Sequence, residues 1–245
     1  MNVKNEVSDG KIQGNDRPGK EGGVEVSQAV IRRLPRYFRY LRILLREGRA
    51  RISSGELSKM MHVTASQIRQ DFNCFGGFGQ QGYGYNVEYL YEKICGILGV
   101  RAGLQAIVVG AGNLGCALVR NPMFEKRGVK VTAMFDVDSE RIGSAVEGIP
   151  VYDVADLGEY CRSHVVDLAV LTLPKDCALE TARQLEEAGV RGIWNFTGRE
   201  LGGLVPGCVV ENVHLGDSLM TLCYELCRED READAGGNGE NAHDK

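Results

Sequence analysis

The feature that most constrains this fold is a glycine-rich turn that separates a short apolar run from a plausible helix. The apolar run covers residues 106–109, the helix covers residues 116–119, and the turn has the spacing Gly-x-Gly-x-x-Gly. The first glycine of such a turn permits a tight bend, the second lets the backbone approach a pyrophosphate, and the third allows close helix–strand packing. The helix N-terminus offers N–H groups to the phosphates. The turn consists of Gly110, Ala111, Gly112, Asn113, Leu114 and Gly115.

An acidic residue completes the pattern at the end of the next apolar run. Asp136 follows residues 131–135 and lies 21 residues beyond Gly115. A carboxylate at this place accepts hydrogen bonds from the adenosine ribose and repels a 2′-phosphate, which favours NAD over NADP. Asp138 adds a second negative charge, and Arg141 lies in the next turn. The combination predicts a dinucleotide-binding unit; the alternative is a Rossmann-like unit that holds another nucleotide, such as coenzyme A, or none.

The alternation of strands and helices continues beyond Asp136. Residues 166–172 form an apolar run typical of a buried parallel strand, residues 177–188 predict a helix, and residues 192–196 and 208–211 predict two more strands. Ligands in such sheets bind at the carboxyl ends of the strands, which adds candidates for the nucleotide site. These candidates are Thr172, Leu173, Pro174, Asn195 and Phe196, of which Leu173 and Phe196 can equally be core residues.

Composition excludes several classes of protein. The 245 residues suffice for one large or two modest domains, and no apolar run approaches the ~20 residues that span a membrane. Residues 1–26 are polar without the apolar core of a signal peptide, and residues 230–245 are polar and acidic, so both are predicted to be disordered. The eight cysteines form no Cys-x-x-Cys pair and no metal spacing with the four histidines. This favours reduced thiols in a cytosolic protein without a metal, and a cysteine-based redox switch is the alternative.

The net charge of −4 conceals an asymmetry between the two halves of the chain. Residues 27–100 contain 11 basic and 5 acidic residues, whereas residues 101–245 contain 14 basic and 23 acidic ones. A basic module joined to an acidic one suggests that the basic half meets a polyanion, although a basic surface is often no more than a solvated face. A recognition motif is therefore needed to decide between a polyanion-binding surface and a solvated face.

Residues 53–72 of the basic half have the pattern of a helix-turn-helix. Residues 53–56 and 64–67 each have the sequence of a capping box that opens a short helix. In the second helix Ile68 and Phe72 fall on one side, and a polar, non-acidic stripe falls on another, as in a recognition helix that bonds base edges in the major groove. The DNA-binding candidates in this helix are Ser66, Gln67, Arg69, Gln70 and Asn73.

Glycines alternate with aromatic residues in the segment that follows, residues 75–85. The alternation predicts a small hairpin, the wing of a winged helix, from which Gln80 and Gln81 reach a minor groove. A glycine-rich linker is the alternative, but linkers rarely carry so many aromatic residues. Helices are predicted on both sides of this motif, over residues 36–47 and 86–99, and the second of them joins the two modules.

The last helical segment, residues 216–228, is amphipathic. Its apolar side needs a partner surface, either on its own domain or across a dimer. No catalytic constellation is recognisable, and a dehydrogenase needs a second domain to hold substrate beside the nicotinamide, so a hydride-transferring enzyme is the weaker interpretation. The apolar side consists of Leu219, Leu222, Cys223 and Leu226.

Taken together, these motifs closely resemble the Rex family of redox-sensing transcriptional repressors. The resemblance implies a homodimer that binds operator DNA when it is free or bound to NAD+ and that NADH releases. It further implies DNA contacts from Arg69, Gln70 and the wing, a C-terminal helix exchanged between subunits, and a Leu215 close to the nicotinamide. The similarity runs from about Ser27 to Arg228 and includes residues 39–44, 64–72, 79–85, 110–115, 135–138, 171–174 and 195–196.

Some positions depart from the family pattern. Thr197 and Gly198 stand where Ala-Pro is common, and His214 stands where an acid is often found. Asn121 takes the place of a tyrosine, and Gln81 that of a basic residue of the wing. These departures concern the way in which the domains are held in position and the contacts that the wing makes with DNA.

We therefore expect an α/β protein that acts as an NADH-responsive repressor and not as an enzyme. The alternative is a small NAD-dependent oxidoreductase with a nucleic-acid-binding module. The expected segments are a disordered extension (1–26), a winged helix-turn-helix domain with its linker helix (27–100), a Rossmann NAD(H)-binding domain (101–215), a swapped C-terminal dimer helix (216–229) and a disordered acidic tail (230–245).

Overall fold

The computed structural model describes residues 27–75, 79–80 and 83–237 of the chain. The chain forms two compact units, with the division between Leu98 and Gly99. They are a winged helix-turn-helix and a Rossmann-like α/β domain, which confirms the predicted fold class. In the described ranges no helix is both long enough and apolar enough to cross a membrane.

The first unit carries a helix-turn-helix followed by a small antiparallel sheet. Gly79 pairs with Tyr85 and Gln80 pairs with Gly84, so the segment predicted as a wing is a hairpin and not a linker. A third short strand pairs with the other side of this hairpin. The elements are α1 (Gln28–Arg46), β1 (Arg51–Ile52), α2 (Ser54–Met61), α3 (Ala65–Asn73), β2 (Gly79–Gln80), β3 (Gly84–Asn86) and α4 (Val87–Ile97).

Capping residues explain where α2 and α3 begin. At Ser53 the predicted capping box is complete, because the Ser53 hydroxyl accepts from the N–H of Glu56 at 3.1 Å and the Glu56 carboxylate accepts from the N–H of Ser53 at 2.9 Å. At Thr64 the predicted box is only half made. The Thr64 hydroxyl accepts from the N–H of Gln67 at 3.1 Å, but the Gln67 amide donates to Asp71 instead of returning to the cap.

The first helix begins earlier than the sequence suggested. It starts at Gln28 and passes through Pro35, whereas the predicted helix starts at Arg36. Proline is favourable in the first turn of a helix, which makes a start next to Pro35 the simpler expectation. Burial of Leu34 and Val30, about one and two turns before Phe38 on the same apolar face, outweighs the hydrogen bond that the proline cannot donate.

The core of this unit connects α1, α3 and the wing. The ring of Phe72 in α3 lies 4.8 Å from that of Tyr37 in α1 and 4.9 Å from that of Tyr85 in the wing, measured between centroids. Tyr37, Ile68 and Phe72 are buried. The exposed side of α3 and the wing are therefore held by one core.

The second unit is a seven-stranded, mostly parallel sheet. Its elements are β4 (Leu104–Val109), α5 (Asn113–Arg120), β5 (Val129–Asp136), β6 (Ala145–Val146), β7 (Ile149–Asp153), α6 (Leu157–Ser163), β8 (Leu168–Leu171), α7 (Ala178–Glu187), β9 (Gly192–Asn195), β10 (Val209–Asn212) and α8 (Leu215–Gly237). The strand order is β10-β9-β8-β4-β5-β7-β6, the Rossmann order with an antiparallel strand, β6, added at one edge. Because β4 lies between β5 and β8, the order reverses at β4, and such sheets bind ligands at the carboxyl ends of the strands there.

The two faces of this sheet are covered unequally. One face packs against α6 and α7 through a large core that includes Phe135 and Leu171. The other face packs against α5, and the smaller core there includes Phe124 and Met134. Beside this smaller core, an apolar hollow of about 480 Å³ is lined by residues that include Trp194 of β9.

The last helix is longer than predicted, and its apolar residues are exposed. It begins at Leu215 and continues to Gly237, beyond the predicted end at Arg228. The stretch expected to be a disordered tail from residue 230 therefore begins inside the helix. The glutamate, arginine and alanine residues of this stretch are good helix formers, so a polar composition does not exclude a helix that has already begun.

Candidate nucleotide site and DNA interface

The glycine turn follows the carboxyl end of β4. Gly110 has a positive φ of 105°, and a Cβ at this position would lie 2.6 Å from the carbonyl oxygen of Thr172. A Cβ at Gly115 would collide with the carbonyl oxygen of Gly110. The Thr172 hydroxyl donates to that same carbonyl at 2.8 Å and so fixes the turn from the neighbouring strand. The geometry of the turn therefore requires glycine at both positions.

The N-terminus of α5 opens onto this turn. Its N-cap residue is Gly112, which has no side chain, so the N–H groups of Asn113 and Leu114 are left without a side-chain cap. The space above Gly112 is open, since the nearest atom to a Cβ built there is Nη1 of Arg141 at 3.8 Å. Unsatisfied N–H groups and the helix dipole at such an end favour a phosphate.

Asp136 ends β5 and is held by backbone N–H groups. Its Oδ2 accepts from the N–H of Ala111 at 2.6 Å, and its Oδ1 accepts from those of Val137 and Asp138 at 2.8 and 3.0 Å. Burial alone raises the pKa of this carboxyl, but the three hydrogen bonds and the charge of Arg141 more than offset it, so the pKa lies below its usual range. Asp136 is therefore ionised at neutral pH and firmly oriented beside the turn.

These groups line a cavity of about 590 Å³, a volume typical of small-molecule sites. The predicted residues that line it are Gly110, Gly112, Asp136, Thr172, Leu173 and Pro174. The rest of the wall is not predicted as part of the site: Val137 and Arg141 lie close to the Asp136 pattern but are not among the predicted binding residues, and a helix without a motif is brought to the turn only by the fold. The residues missed in this way include Val137, Arg141, Cys177, Glu180, Thr181 and Gln184.

Ala111, Asn113, Leu114 and Gly115 belong to the turn but do not line the cavity, and the predicted residues outside the turn that do not line it are Asn195, Phe196 and Leu215. Asn195 is buried, and its amide donates to the side-chain oxygen of Asn212 at 2.8 Å, which fastens the end of β9 to the end of β10. Phe196 packs edge-on against Trp194, with a centroid distance of 4.7 Å. Leu215 is exposed at the start of α8. Their place at the nicotinamide stays a prediction.

The predicted recognition stripe lies on the surface of α3. Arg69 lies along that surface, where its guanidinium donates to the hydroxyls of Ser66 at 3.0 Å and Ser54 at 3.2 Å. Gln67 differs from the others, because it is half-buried and its amide donates to Asp71 at 2.9 Å. In the wing, Gln80 lies in β2, and Gln81 falls outside the described residues. The exposed members of the stripe are Ser66, Arg69, Gln70 and Asn73.

A buried aspartate fastens α3 to α1. Asp71 accepts from Nε and Nη2 of Arg33 at 2.7 and 2.6 Å, and from the Tyr37 hydroxyl at 2.8 Å. A second arginine of α1, Arg36, donates to the carbonyl of Met61 at the end of α2 at 2.5 Å. No sequence signal marks these residues, because arginines on a basic helix look alike whether they face water or a buried carboxylate. Arg33 and Arg36 of α1 thus hold the helix-turn-helix in place.

Protein-family models match the chain in two parts. The model described as "CoA binding domain" matches residues 104–198, which contain most of the parallel sheet and the glycine turn. The model described as "Putative DNA-binding protein N-terminus" matches residues 25–73, which contain the helix-turn-helix. The two matches follow the same division as the two compact units.

Curated relatives match over most of the chain. The redox-sensing transcriptional repressor Rex of Caldicellulosiruptor saccharolyticus is 49% identical over 201 residues, which are 82% of this chain and 91% of that protein. Rex of Caldanaerobacter subterraneus subsp. tengcongensis is 50% identical over 206 residues, which are 84% of this chain and 91% of that protein. These relatives are named as repressors and not as enzymes, so the oxidoreductase alternative finds no support among them.

Solved structures show the same architecture. The Rex-family repressor RSP in complex with β-NAD+ and operator DNA matches with a TM-score of 0.79 and 47% identity, over 89% of this chain and 99% of that chain. RSP in complex with β-NADH matches with a TM-score of 0.79 and 44% identity, over 86% and 98% of the two chains. With about half of its residues identical across nearly the whole length of its relatives, this chain belongs to the Rex family of redox-sensing transcriptional repressors.

Proposed function

We propose that this chain is a homodimeric repressor that binds operator DNA through its winged helix-turn-helix and is released from DNA by NADH. One observation carries the proposal: a single chain holds an exposed recognition stripe in one unit and a dinucleotide turn at the switch point of a Rossmann sheet in the other. The RSP complexes with NAD+ and operator DNA and with NADH support the same set of ligands.

The residues at the turn fit a dinucleotide. The N–H groups of Asn113 and Leu114 would bind the pyrophosphate, since Gly112 leaves the end of α5 open. Asp136 would accept hydrogen bonds from the adenosine ribose. Asn195, Phe196 and Leu215 are the residues that we assign to the nicotinamide end.

NADH acts in this proposal as a signal and not as a substrate. NAD+ and NADH differ by one charge on the nicotinamide ring and by its planarity, and an apolar, water-poor pocket favours the neutral reduced ring. A ligand shifts a two-state equilibrium only by its differential affinity for the two states. NADH therefore binds more tightly to the conformation that does not bind DNA, and no hydride transfer is required.

The C-terminal helix supplies the dimer contact in this proposal. Leu219, Leu222 and Leu226 are 54 to 60% exposed in the single chain, and Met220 and Tyr224 beside them are exposed as well. A long exposed apolar stripe of this kind marks an interaction surface. The hollow at Trp194 offers a second apolar surface. A second copy of the chain can cover both apolar surfaces, because each subunit of a symmetric dimer presents the same two surfaces to its partner.

Fluorescence anisotropy with a labelled operator tests this function, and the operator bound by RSP is a suitable probe. We expect the chain to bind this DNA, and we expect NADH to release it at lower concentrations than NAD+ or NADPH. DNA binding that does not respond to NADH would contradict the proposal. Steady turnover of NADH with a small substrate would favour the oxidoreductase alternative.

Replacement of Arg69 tests the DNA interface separately. A bidentate base contact contributes ~1–3 kcal/mol and a dimer has two such sites, so Arg69→Ala should weaken operator binding at least about tenfold. NADH binding should remain. Arg191→Ala, which removes an exposed arginine before β9, is the matched control. Normal operator affinity in Arg69→Ala would rule out the assignment of the recognition helix.

Truncation at Gly216 tests the role of α8. Burial of one leucine contributes ~1.5–3 kcal/mol, so the loss of several per subunit exceeds a typical allosteric coupling of ~1–3 kcal/mol. Light scattering should show dissociation or aggregation, and any dimer that survives should keep its DNA when NADH is added. A stable truncated dimer that still releases DNA with NADH would place the coupling elsewhere, for example in α4.

A further inference from the structure

Arg141 lies at the adenosine end of the proposed nucleotide site, between two carboxylates and the glycine turn. Its Nη1 is 3.4 Å from Oδ2 of Asp136, and its Nε is 3.3 Å from Oδ2 of Asp138. The same Nη1 is the atom nearest to the open space above Gly112. The Arg141 side chain is 43% exposed and forms part of the cavity wall, so a ligand in the cavity meets it.

The hydrogen bonds of Asp136 show how this arginine meets a ligand. An ionised carboxylate has about four acceptor positions. Three of them are filled by the N–H groups of Ala111, Val137 and Asp138, at 2.6 to 3.0 Å. The fourth is filled by Arg141, whose contact is the longest of the set at 3.4 Å. A ribose hydroxyl that donates to Asp136 would therefore replace Arg141, because the 3.4 Å contact is the longest of the four.

The loop keeps the arginine beside the site when this contact is broken. The N–H of Arg141 donates to the carbonyl of Asp138 at 2.9 Å, and the Arg141 carbonyl accepts from the Ser144 hydroxyl at 2.5 Å. The backbone is thus anchored independently of the guanidinium. A displaced guanidinium remains within reach of Asp138 and of a ligand group above Gly112.

We infer that Arg141 is a second determinant of nucleotide choice, a cation masked by Asp136 and Asp138 that becomes a binding site for a 2′-phosphate once Asp136 is neutral. The inference rests on the proposed binding of a dinucleotide at this site. With two carboxylates and one guanidinium, this end of the site carries a net negative charge and repels a 2′-phosphate. Loss of one carboxylate balances the charges and frees a guanidinium, whose planar fork matches a phosphate.

A double-mutant cycle tests the inference. Binding of NADH and of NADPH is titrated by calorimetry to the full-length wild type, Asp136→Ser, Arg141→Ala and the double variant, with the fluorescence of Trp194, the single tryptophan, as the check that the second unit of each is folded. Arg191→Ala is the matched control. Arg191 is exposed, precedes β9, pairs with Asp167 just before β8, and does not line the cavity. Asp136→Asn replaces Asp136→Ser if the serine variant fails the folding check.

We expect the wild type and Arg191→Ala to prefer NADH. Asp136→Ser should bind NADH more weakly and NADPH more tightly than the wild type does, and addition of Arg141→Ala should reduce its NADPH affinity at least about tenfold. A folded Asp136→Ser that gains no affinity for NADPH, or a double variant that binds NADPH as tightly as Asp136→Ser, would overturn the inference while leaving the proposed function intact. A wild type that binds neither nucleotide would overturn the proposed function itself.

Discussion

Two aspartates, one in each unit, use the same side chain in different ways. Asp71 is fully buried, and its partners are the side chains of Arg33, Tyr37 and Gln67. Asp136 keeps 10% of its side chain exposed, and its close partners are backbone N–H groups. Burial raises the pKa of both carboxyls, but hydrogen bonds and a nearby arginine lower it further than burial raises it.

The two sites differ in whether the arginine can leave. Arg33 reaches Asp71 through two bonds of 2.6 and 2.7 Å, whereas Arg141 reaches Asp136 through one contact of 3.4 Å beside a cavity. A bidentate pair that joins two helices fixes their relative position. A single long contact at an open site exchanges readily for a ligand. The first aspartate therefore positions the recognition helix, and the second recognises a ligand.

Removal of the Asp71 carboxylate should have the largest effect on stability. Asp71→Ala leaves the Arg33 cation partly buried without its counter-charge, and it leaves two further donors without their acceptor. Breaking a buried pair on one side costs about 3–5 kcal/mol, and because Arg33 retains some access to water we expect about 3 kcal/mol. In a urea titration, the circular dichroism of the variant should show an early loss of helix as the first unit unfolds. The fluorescence of Trp194, the single tryptophan, should show that the second unit unfolds at the same urea concentration as in the wild type.

A double variant decides whether the pair itself is the source of that loss. Replacement of a whole buried pair by apolar side chains is often neutral, so Arg33→Met with Asp71→Leu should recover much of the stability. A double variant as unstable as Asp71→Ala would contradict the role of the pair. If the double variant is stable, its operator affinity shows whether the pair also positions α3 for DNA binding, in addition to stabilising the fold.

Asp136→Ala should weaken nucleotide binding and spare the fold. Hydrogen bonds to a charged group contribute ~1.5–3 kcal/mol, so the affinity for NADH should fall at least about tenfold in a fluorescence titration. The free energy of unfolding of the second unit should change less than that of the first unit does in Asp71→Ala. Glu125→Ala, which removes an exposed carboxylate outside the cavity wall, should bind NADH normally. Undiminished NADH binding by Asp136→Ala would refute the assigned role.

The comparison also shows which features a sequence can predict. The glycine turn, Asp136, the cap at Ser53 and the hairpin of the wing depend on residues that are near each other in the chain, and patterns of spacing predict them. The pair of Arg33 and Asp71 joins residues 38 positions apart, and nothing local distinguishes this arginine from its solvated neighbours. The same holds for the α7 residues of the cavity wall, which are brought to the turn by the order of the strands.

Acid should weaken the first unit through Asp71. Its folded pKa lies below the unfolded value of about 3.9, so its contribution to stability is complete above that pH and is lost as the pH falls through the folded value. The stability of the wild type, followed by circular dichroism, should therefore fall more steeply below about pH 4 than that of Arg33→Met with Asp71→Leu. Equal slopes would show that another group governs the acid response.

The smallest effect is expected at Glu56, which extends the comparison to a carboxylate outside any core. Glu56 accepts from the N–H and the hydroxyl of Ser53 and pairs with Arg49 at 2.7 Å. The backbone hydrogen bond of Ser53 is the main cause that lowers its pKa to about 2, followed by the bonds from Arg49 and from the Ser53 hydroxyl. Its contribution is therefore complete above the unfolded value of 4.5 and is lost as the pH falls towards 2.

Because water surrounds Glu56, its low pKa records local hydrogen bonds that contribute little to stability. Ser53→Ala removes the cap of α2 and should cost about 1 kcal/mol. Glu56→Gln keeps an acceptor for the N–H of Ser53 and loses only the pair with Arg49, so thermal unfolding at pH 7 should show a smaller loss than Ser53→Ala. At pH 3 the difference in melting temperature between Glu56→Gln and the wild type should be smaller than at pH 7. A loss in Glu56→Gln as large as that in Ser53→Ala would mean that an exposed ion pair can hold a helix as firmly as a cap, against the expectation that water weakens it.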